Sequence, residues 1–231
     1  MIQIRINERV YLKDPESSEL GRKIVAQGIA LIDRMGFEHF TFKKLATHIS
    51  STEASVYRYF ENKHKLLIYL VSWYWNWLEY QLMFSTNNIE SAEDRFEIAI
   101  RVISQPHLLG SNFVHIDKEA LHRIVVAESP KAYLSKEVDQ DNKEGYFLAY
   151  KRLCKRIADI AREINPDYHY PTALVSTMVE SAHNQIFFAA HLPRLTELTK
   201  DNYDELTEFL IDLARRVLHC PTPAIGEQVT E

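Results

Sequence analysis

The chain has 231 residues, 46% of them hydrophobic and 26% charged, with a formal net charge of −5. This is an ordinary globular composition that argues against disorder, and the length suits one large or two modest domains. No run of eighteen apolar residues and no apolar segment behind a basic start occurs, so neither a membrane span nor a signal peptide is expected and the cytoplasm is the expected location.

Residues 2–12 alternate Ile2, Ile4 and Ile6 with polar residues, pass Asn7-Glu8 and resume with Val10 and Leu12. Period-two alternation across a turn predicts a short hairpin or an extended arm. Arg5 and Arg9 suit a minor groove; a strand packed on the protein's own body or on a partner is the favoured reading. Asp14-Pro15-Glu16 then announces a long helix, with a capping aspartate, a proline at the first position and an acid in the first turn. Ile24, Gly28, Leu31, Ile32 and Met35 form its buried stripe, and Gly36 ends it.

Residues 36–67 read as a helix-turn-helix with its supports. Phe37 and Phe40 supply apolar anchors, and Thr41 caps a short helix whose Leu45, Ala46 and Ile49 make one buried stripe. Ser50 and Ser51 break it, and Thr52 caps a second helix reaching Arg58 or Tyr59. In that helix Val56 and Phe60 share a face, leaving Glu53, Ser55, Tyr57, Arg58 and Tyr59 to point elsewhere. Two short helices across a tight turn suit insertion into a DNA major groove. Charge divides accordingly: residues 1–70 hold 11 Lys and Arg against 8 Asp and Glu, the remainder 16 against 24. Lys43, Lys44, Arg58, Lys63 and Lys65 gather at the second helix, opposed by Glu53 and Glu61.

The run G-F-x-x-F-T-x-x-x-L-A, followed by A-S-V-Y-R-Y-F-x-N-K-x-x-L, resembles the DNA-binding domain of the TetR (tetracycline-repressor-like) family over residues 15 to about 70. Ser50 and Ser51 stand where that family usually places Gly and a Val-like residue. The resemblance implies an all-α protein that binds a pseudo-palindromic DNA operator as a homodimer, a regulator acting as a repressor rather than an enzyme, with no cofactor. It implies phosphate contacts from Thr41, Lys44, Tyr57, Tyr59 and Lys63, with Lys43 beside them, and places Thr52, Glu53, Ser55 and Arg58 near base edges.

Asn62 caps the next helix, expected to run unbroken to about Phe84 with Leu66, Leu70, Trp73, Trp77 and Gln81 at helical steps. Beyond a polar break at 85–88, helices are expected from Ser91 to Gln105-Pro106, from Asp117 to Ser129-Pro130, around 132–138, from Asn142 to Ile164, from Pro171 to Ala190 and from Asp201 to Leu218. The domains expected are an arm or hairpin at 1–14, a helix-turn-helix unit at 15–68, a helical regulatory and dimerisation domain at 69–220 and a tail at 221–231. In the resembling family the second domain binds a small molecule and dimerises through its last two helices, here 171–190 and 201–218. The former is rich in small residues such as Ala173, Ser176, Ser181 and Ala190.

An aromatic supply that includes Phe113, Tyr146 and Phe187 suits a small, apolar effector. The ligand candidates are Trp73, Trp77, Phe96, His122, Phe147, Tyr150 and His183. Each aromatic has core packing as its ordinary explanation. One competing constellation points to a helical metalloprotein or di-metal oxidoreductase: Glu119-x-x-His122 and Glu180-x-x-His183 have the spacing of carboxylate-bridged metal centres, with Glu97 and Glu144 as conceivable partners. Glu61-x-x-His64 repeats the spacing where no metal centre is expected, and Cys154 and Cys220 are too few and too isolated for a metal knuckle. No phosphate loop, nucleophile elbow or zinc-protease motif occurs.

Overall fold

The computed structural model describes residues 4–105 and 115–219, and every regular element among them is helical. Phe113, Pro106, Cys220 and the expected tail at 221–231 lie outside the described residues. The expected hairpin does not form: the described part of the arm makes a 3-10 turn, Glu8–Val10, capped by Asn7. Asn7-Glu8 lacks the glycine that a two-residue turn needs, and two lone strands would have no third to pack on. Ile6 and Val10 are instead buried against the body, and Leu12 donates its N–H to the Tyr59 carbonyl at 2.8 Å.

Asp14 and Pro15 open only a second 3-10 turn, Pro15–Ser17. The long helix α1 (Glu19–His39) starts at a cap from Ser18 instead. The turn folds onto the helix so closely that a Cβ on Gly21 would lie 2.2 Å from the Pro15 carbonyl oxygen. At Gly36, with φ of 76°, α1 breaks as the sequence expects and leaves one further turn to His39. Then come α2 (Phe42–His48), α3 (Glu53–Tyr57) and α4 (Lys63–Ser85), capped by Thr41, Thr52 and Asn62 as their spacing predicts. The second of these stops short of Arg58.

The larger part comprises α5 (Ala92–Ser104), α6 (Lys118–Tyr133), α7 (Val138–Lys143), α8 (Leu148–Ile164), α9 (Pro171–His191) and α10 (Tyr203–His219). Proline does not stop α6: Pro130 sits on its exposed side and its own carbonyl still accepts the Leu134 N–H at 2.7 Å. The helix expected from Asn142 is split at Gly145, whose φ is 82°.

The core is built round α4, which packs against α5, α6 and α8. Every residue from Leu66 to Trp75 is buried, so this helix has no solvent face there, and burial of each large side chain contributes roughly 1.5–3 kcal/mol. α9 packs on α8 and α10, and α1 lies along α6. The helix-turn-helix unit and the helical bundle therefore meet along two routes, the continuous rod of α4 and the seam between α1 and α6.

Candidate nucleic-acid interface and ligand cavity

The turn between α2 and α3 is held by Ser51 N–H on the Ala46 carbonyl at 2.9 Å, with Ser50 in the left-handed region at φ 55°. Leu45, Ala46, Ile49, Val56 and Phe60 are buried, as the stripe predicts. That leaves Thr41, Lys43, Lys44, Thr52, Glu53, Tyr57 and Arg58 exposed on one small unit. Tyr57 is 46% exposed and its ring meets Phe42 edge-on at 5.1 Å, so the phenol is presented on a fixed support.

Three of the ten expected contact residues are placed differently. Tyr59 is 3% exposed; its hydroxyl bonds Ser18 Oγ at 2.8 Å, which holds the phenol below its ordinary pKa. It braces α1 rather than facing outward. Ser55 is buried too, with its Oγ between Thr52 Oγ1 at 2.8 Å and an Arg58 Nη2 at 3.0 Å, so it positions the arginine. Lys63 donates from Nζ to the carbonyls of Phe37 at 3.0 Å and Glu38 at 3.2 Å while lying over the Phe37 ring. A cation beside a helix end with unpaired carbonyls is favourably placed, and the spacing of Asn62-Lys63 gave no sign of this use.

The corner at residues 36–40 is gripped from the bundle as well. Gly36 leaves the Phe37 N–H without a helical acceptor, and Glu128 of α6 supplies one at 2.9 Å. Lys131 bridges Glu128 and Glu38 at 2.8 and 2.9 Å, and the bonds to these carboxylates raise its pKa. One turn earlier, Arg123 makes a two-pronged ion pair with Asp33, at 2.9 and 2.8 Å.

Beside this seam is a cavity of about 390 Å³. Its walls are the end of α1 (Ile32, Asp33, Gly36), one side of α6 from His122 to Glu128, the end of α9 and the segment 198–203. Of the seven ligand candidates, only His122 lines it. Trp73 and Trp77 are core, stacked on each other at 6.2 Å, and Phe96 lines a much smaller hollow of about 80 Å³ near α10. Phe147, Tyr150 and His183 belong to a closed aromatic stack: Trp75 lies 4.5 Å from Tyr150 and 5.6 Å from His183, and Tyr133 meets Phe147 at 5.5 Å. These rings fill space against one another, which is why their number misleads as a sign of a pocket.

The metal reading meets a geometric obstacle. His122 bonds the Tyr74 hydroxyl at 2.9 Å, and Glu180 accepts from Tyr150 at 2.9 Å. Glu97 pairs with Arg215 and Glu144 with Arg9, so neither carboxylate is directed at the histidines. Among the described residues no group of three or more His, Cys, Asp and Glu side chains is arranged to hold a metal ion. Burial pushes the His183 pKa down to about 4, leaving a neutral ring in the core.

Residues 24–70 match the family model described as "Bacterial regulatory proteins, tetR family". No curated protein matches the chain. Among solved structures, a bacterial regulatory protein in the tetR family from Rhodococcus RHA1 is 16% identical, with 89% of this chain and 100% of that one covered and a TM-score of 0.62. AibR in complex with isovaleryl coenzyme A and operator DNA is also 16% identical, over 83% and 97% of the two chains, with a TM-score of 0.56. The superantigen PfiT is 18% identical over 90% and 100%, again at 0.56. At such identities the likeness is one of fold.

Proposed function

We propose that this chain, a tetR-family DNA-binding regulatory protein by the match of residues 24–70, binds a pseudo-palindromic operator as a homodimer and releases it in response to a small, largely apolar ligand. The assignment is to a transcription regulator and not to an enzyme. The observation that carries the DNA half is the exposed set on α2 and α3: Thr41, Lys43, Lys44 and Tyr57 are arranged to meet phosphate, while Thr52, Glu53 and Arg58 open the second helix toward base edges.

Dimerisation through α9 and α10 is supported by what they leave uncovered. Ala173, Thr177 and Asn184 are exposed along α9, with Phe187 37% exposed, and Phe209 of α10 is 41% exposed. A two-fold dimer sets two reading helices one DNA turn, about 34 Å, apart. Ligand response is supported by the cavity at the seam, whose volume suits a small molecule, and by AibR, which shares the fold and is described with both an acyl coenzyme A and operator DNA. Repression is the action this reading assigns, with the cytoplasm as its place; no helix among the described residues is long and apolar enough to cross a membrane.

Selection of duplexes from a random library, followed by measurement of stoichiometry on the selected site, tests the proposal. Two chains per palindromic duplex is the expected result. Failure to enrich any sequence would end it.

A further inference from the structure

We propose that the ligand is an uncharged, largely apolar molecule bound between α1, α6 and α9, and that it weakens operator binding by drawing α6 away from the corner at Gly36 and Phe37, with Glu128 as the coupling side chain. This rests on the ligand-responsive reading above and adds its site, its chemistry and its route.

The chemistry follows from how the charges on the helical walls are already used. Asp33 holds Arg123 through two bonds, and Glu128 holds Lys131 at 2.8 Å. A charged group set between α1 and α6 would have to break one of these pairs, leaving an ion poorly compensated, while on the segment 198–203 the adjacent Lys200 and Asp201 are exposed charges of opposite sign. An uncharged body meets no such obstacle and gains from contact with Ile32, Ile124, Val126, Ile186 and Leu206.

The route follows from Glu128 having two faces. It lines the cavity, and its Oε1 accepts the Phe37 N–H; a Cβ on Gly36 would lie 3.6 Å from that same oxygen. The corner it grips leads straight into Phe40 and Thr41, the N-cap of α2. Residues of α1 are themselves cavity wall, whereas α4 contributes none. Widening the gap between α1 and α6 therefore loosens the support of the reading unit directly. A ligand acts only through the difference in its affinity for the two arrangements, and the gap supplies that difference.

The test uses the full chain, its selected operator and Nile red, an uncharged apolar dye. Operator affinity is measured with and without saturating dye for the wild type, Glu128→Ala, Glu128→Gln and Val126→Trp, with melting curves confirming that each folds. Dye should lower operator affinity about fivefold or more in the wild type and in Glu128→Gln, which keeps the acceptor oxygen, and less than about twofold in Glu128→Ala. Dye should bind Glu128→Gln as it binds the wild type, and Glu128→Ala at least as tightly, since no bond to Phe37 then opposes the widening. Val126→Trp, which fills the cavity from α6, should lose dye binding and bind operator weakly without it. An equal dye response in Glu128→Ala overturns the route, and dye that binds Val126→Trp as well as the wild type overturns the site. Dye that saturates the wild type without changing operator affinity overturns the coupling. A protein that binds no operator at all would instead fail the reading on which this one rests.

Discussion

The Glu128 carboxylate of α6 accepts the backbone N–H of Phe37 at 2.9 Å, across 91 residues of sequence. Gly36 makes this bond necessary, because its positive φ interrupts α1 and leaves that N–H without its ordinary acceptor. The bundle thus completes the hydrogen bonding of the helix-turn-helix unit. Lys131, bound to both Glu128 and Glu38, doubles the attachment.

Arg58 lies exposed just past the end of α3 with its guanidinium steadied by Ser55. Arg58→Ala should change which base pairs are preferred, costing about 1–3 kcal/mol at the position it reads. Lys43→Ala or Lys44→Ala should weaken all sequences alike and flatten the salt dependence. Titrations against single-base operator variants at several salt concentrations separate the two; a uniform loss for Arg58→Ala would remove it from base reading.

Lys63 serves the corner at 36–40 before it can serve a phosphate, since its ammonium already meets the carbonyls of Phe37 and Glu38. Lys63→Ala should lower unfolding free energy by about 1.5–3 kcal/mol, the scale of hydrogen bonds to a charged group. Denaturant melts read this directly. A variant as stable as the wild type, with a flattened salt slope, would return Lys63 to the phosphate contacts.

The local signals along the chain were legible because they act over a few residues. Thr41, Thr52 and Asn62 cap the helices they announce, and α4 runs unbroken from Lys63 to Ser85. The alternation of Ile4, Ile6 and Val10 misled, because burial of Ile6 and Val10 against the body produces the same pattern as a strand. The cavity was hidden for a different reason: Asp33, Glu128 and Ile186 lie on three helices, and no spacing within any one of them records their meeting. Tyr59 and Lys63 look like surface residues by type; their partners, Ser18 and the Phe37 carbonyl, stand 41 and 26 residues away.

Trp77 and Tyr150 should behave as core. Trp77 is wholly buried, so Trp77→Ala should cost about 3–5 kcal/mol of stability, and its effect on ligand response should follow from that loss alone. Ala189→Phe, within the cavity, should alter ligand response at nearly unchanged melting temperature. Paired melting and ligand titrations decide; the opposite pattern would move the ligand into the aromatic stack.

His183 should make stability depend on pH between about 4 and 6.5. Its ring is neutral in the fold with a pKa of about 4, against an ordinary value of 6.5 when unfolded. Between those values the unfolded chain binds the extra proton, so the stabilising contribution is full above about 6.5 and is lost as pH falls toward 4, by about 3 kcal/mol in all. Its Nδ1 has no hydrogen-bond partner among the described residues, in keeping with a ring held by packing. Denaturant melts across this range should show the slope in the wild type and a shallower one in His183→Phe. Parallel slopes would mean that other groups carry the acid sensitivity.

Phe187 of α9 and Phe209 of α10 are large apolar side chains left in the open. Phe187→Glu with Phe209→Glu should convert a dimer to monomers, seen by sedimentation, and reduce operator affinity by far more than it reduces stability. Dimers that persist would put the interface elsewhere.

Footprinting on the duplex selected by the full chain tests operator binding by a two-fold pair of α2–α3 units. Protection of two half-sites one helical turn apart or a multiple of it, lost in Arg58→Ala combined with Lys43→Ala at nearly unchanged melting temperature, is the predicted result. Protection that is continuous and indifferent to sequence, or that survives both substitutions, would contradict it.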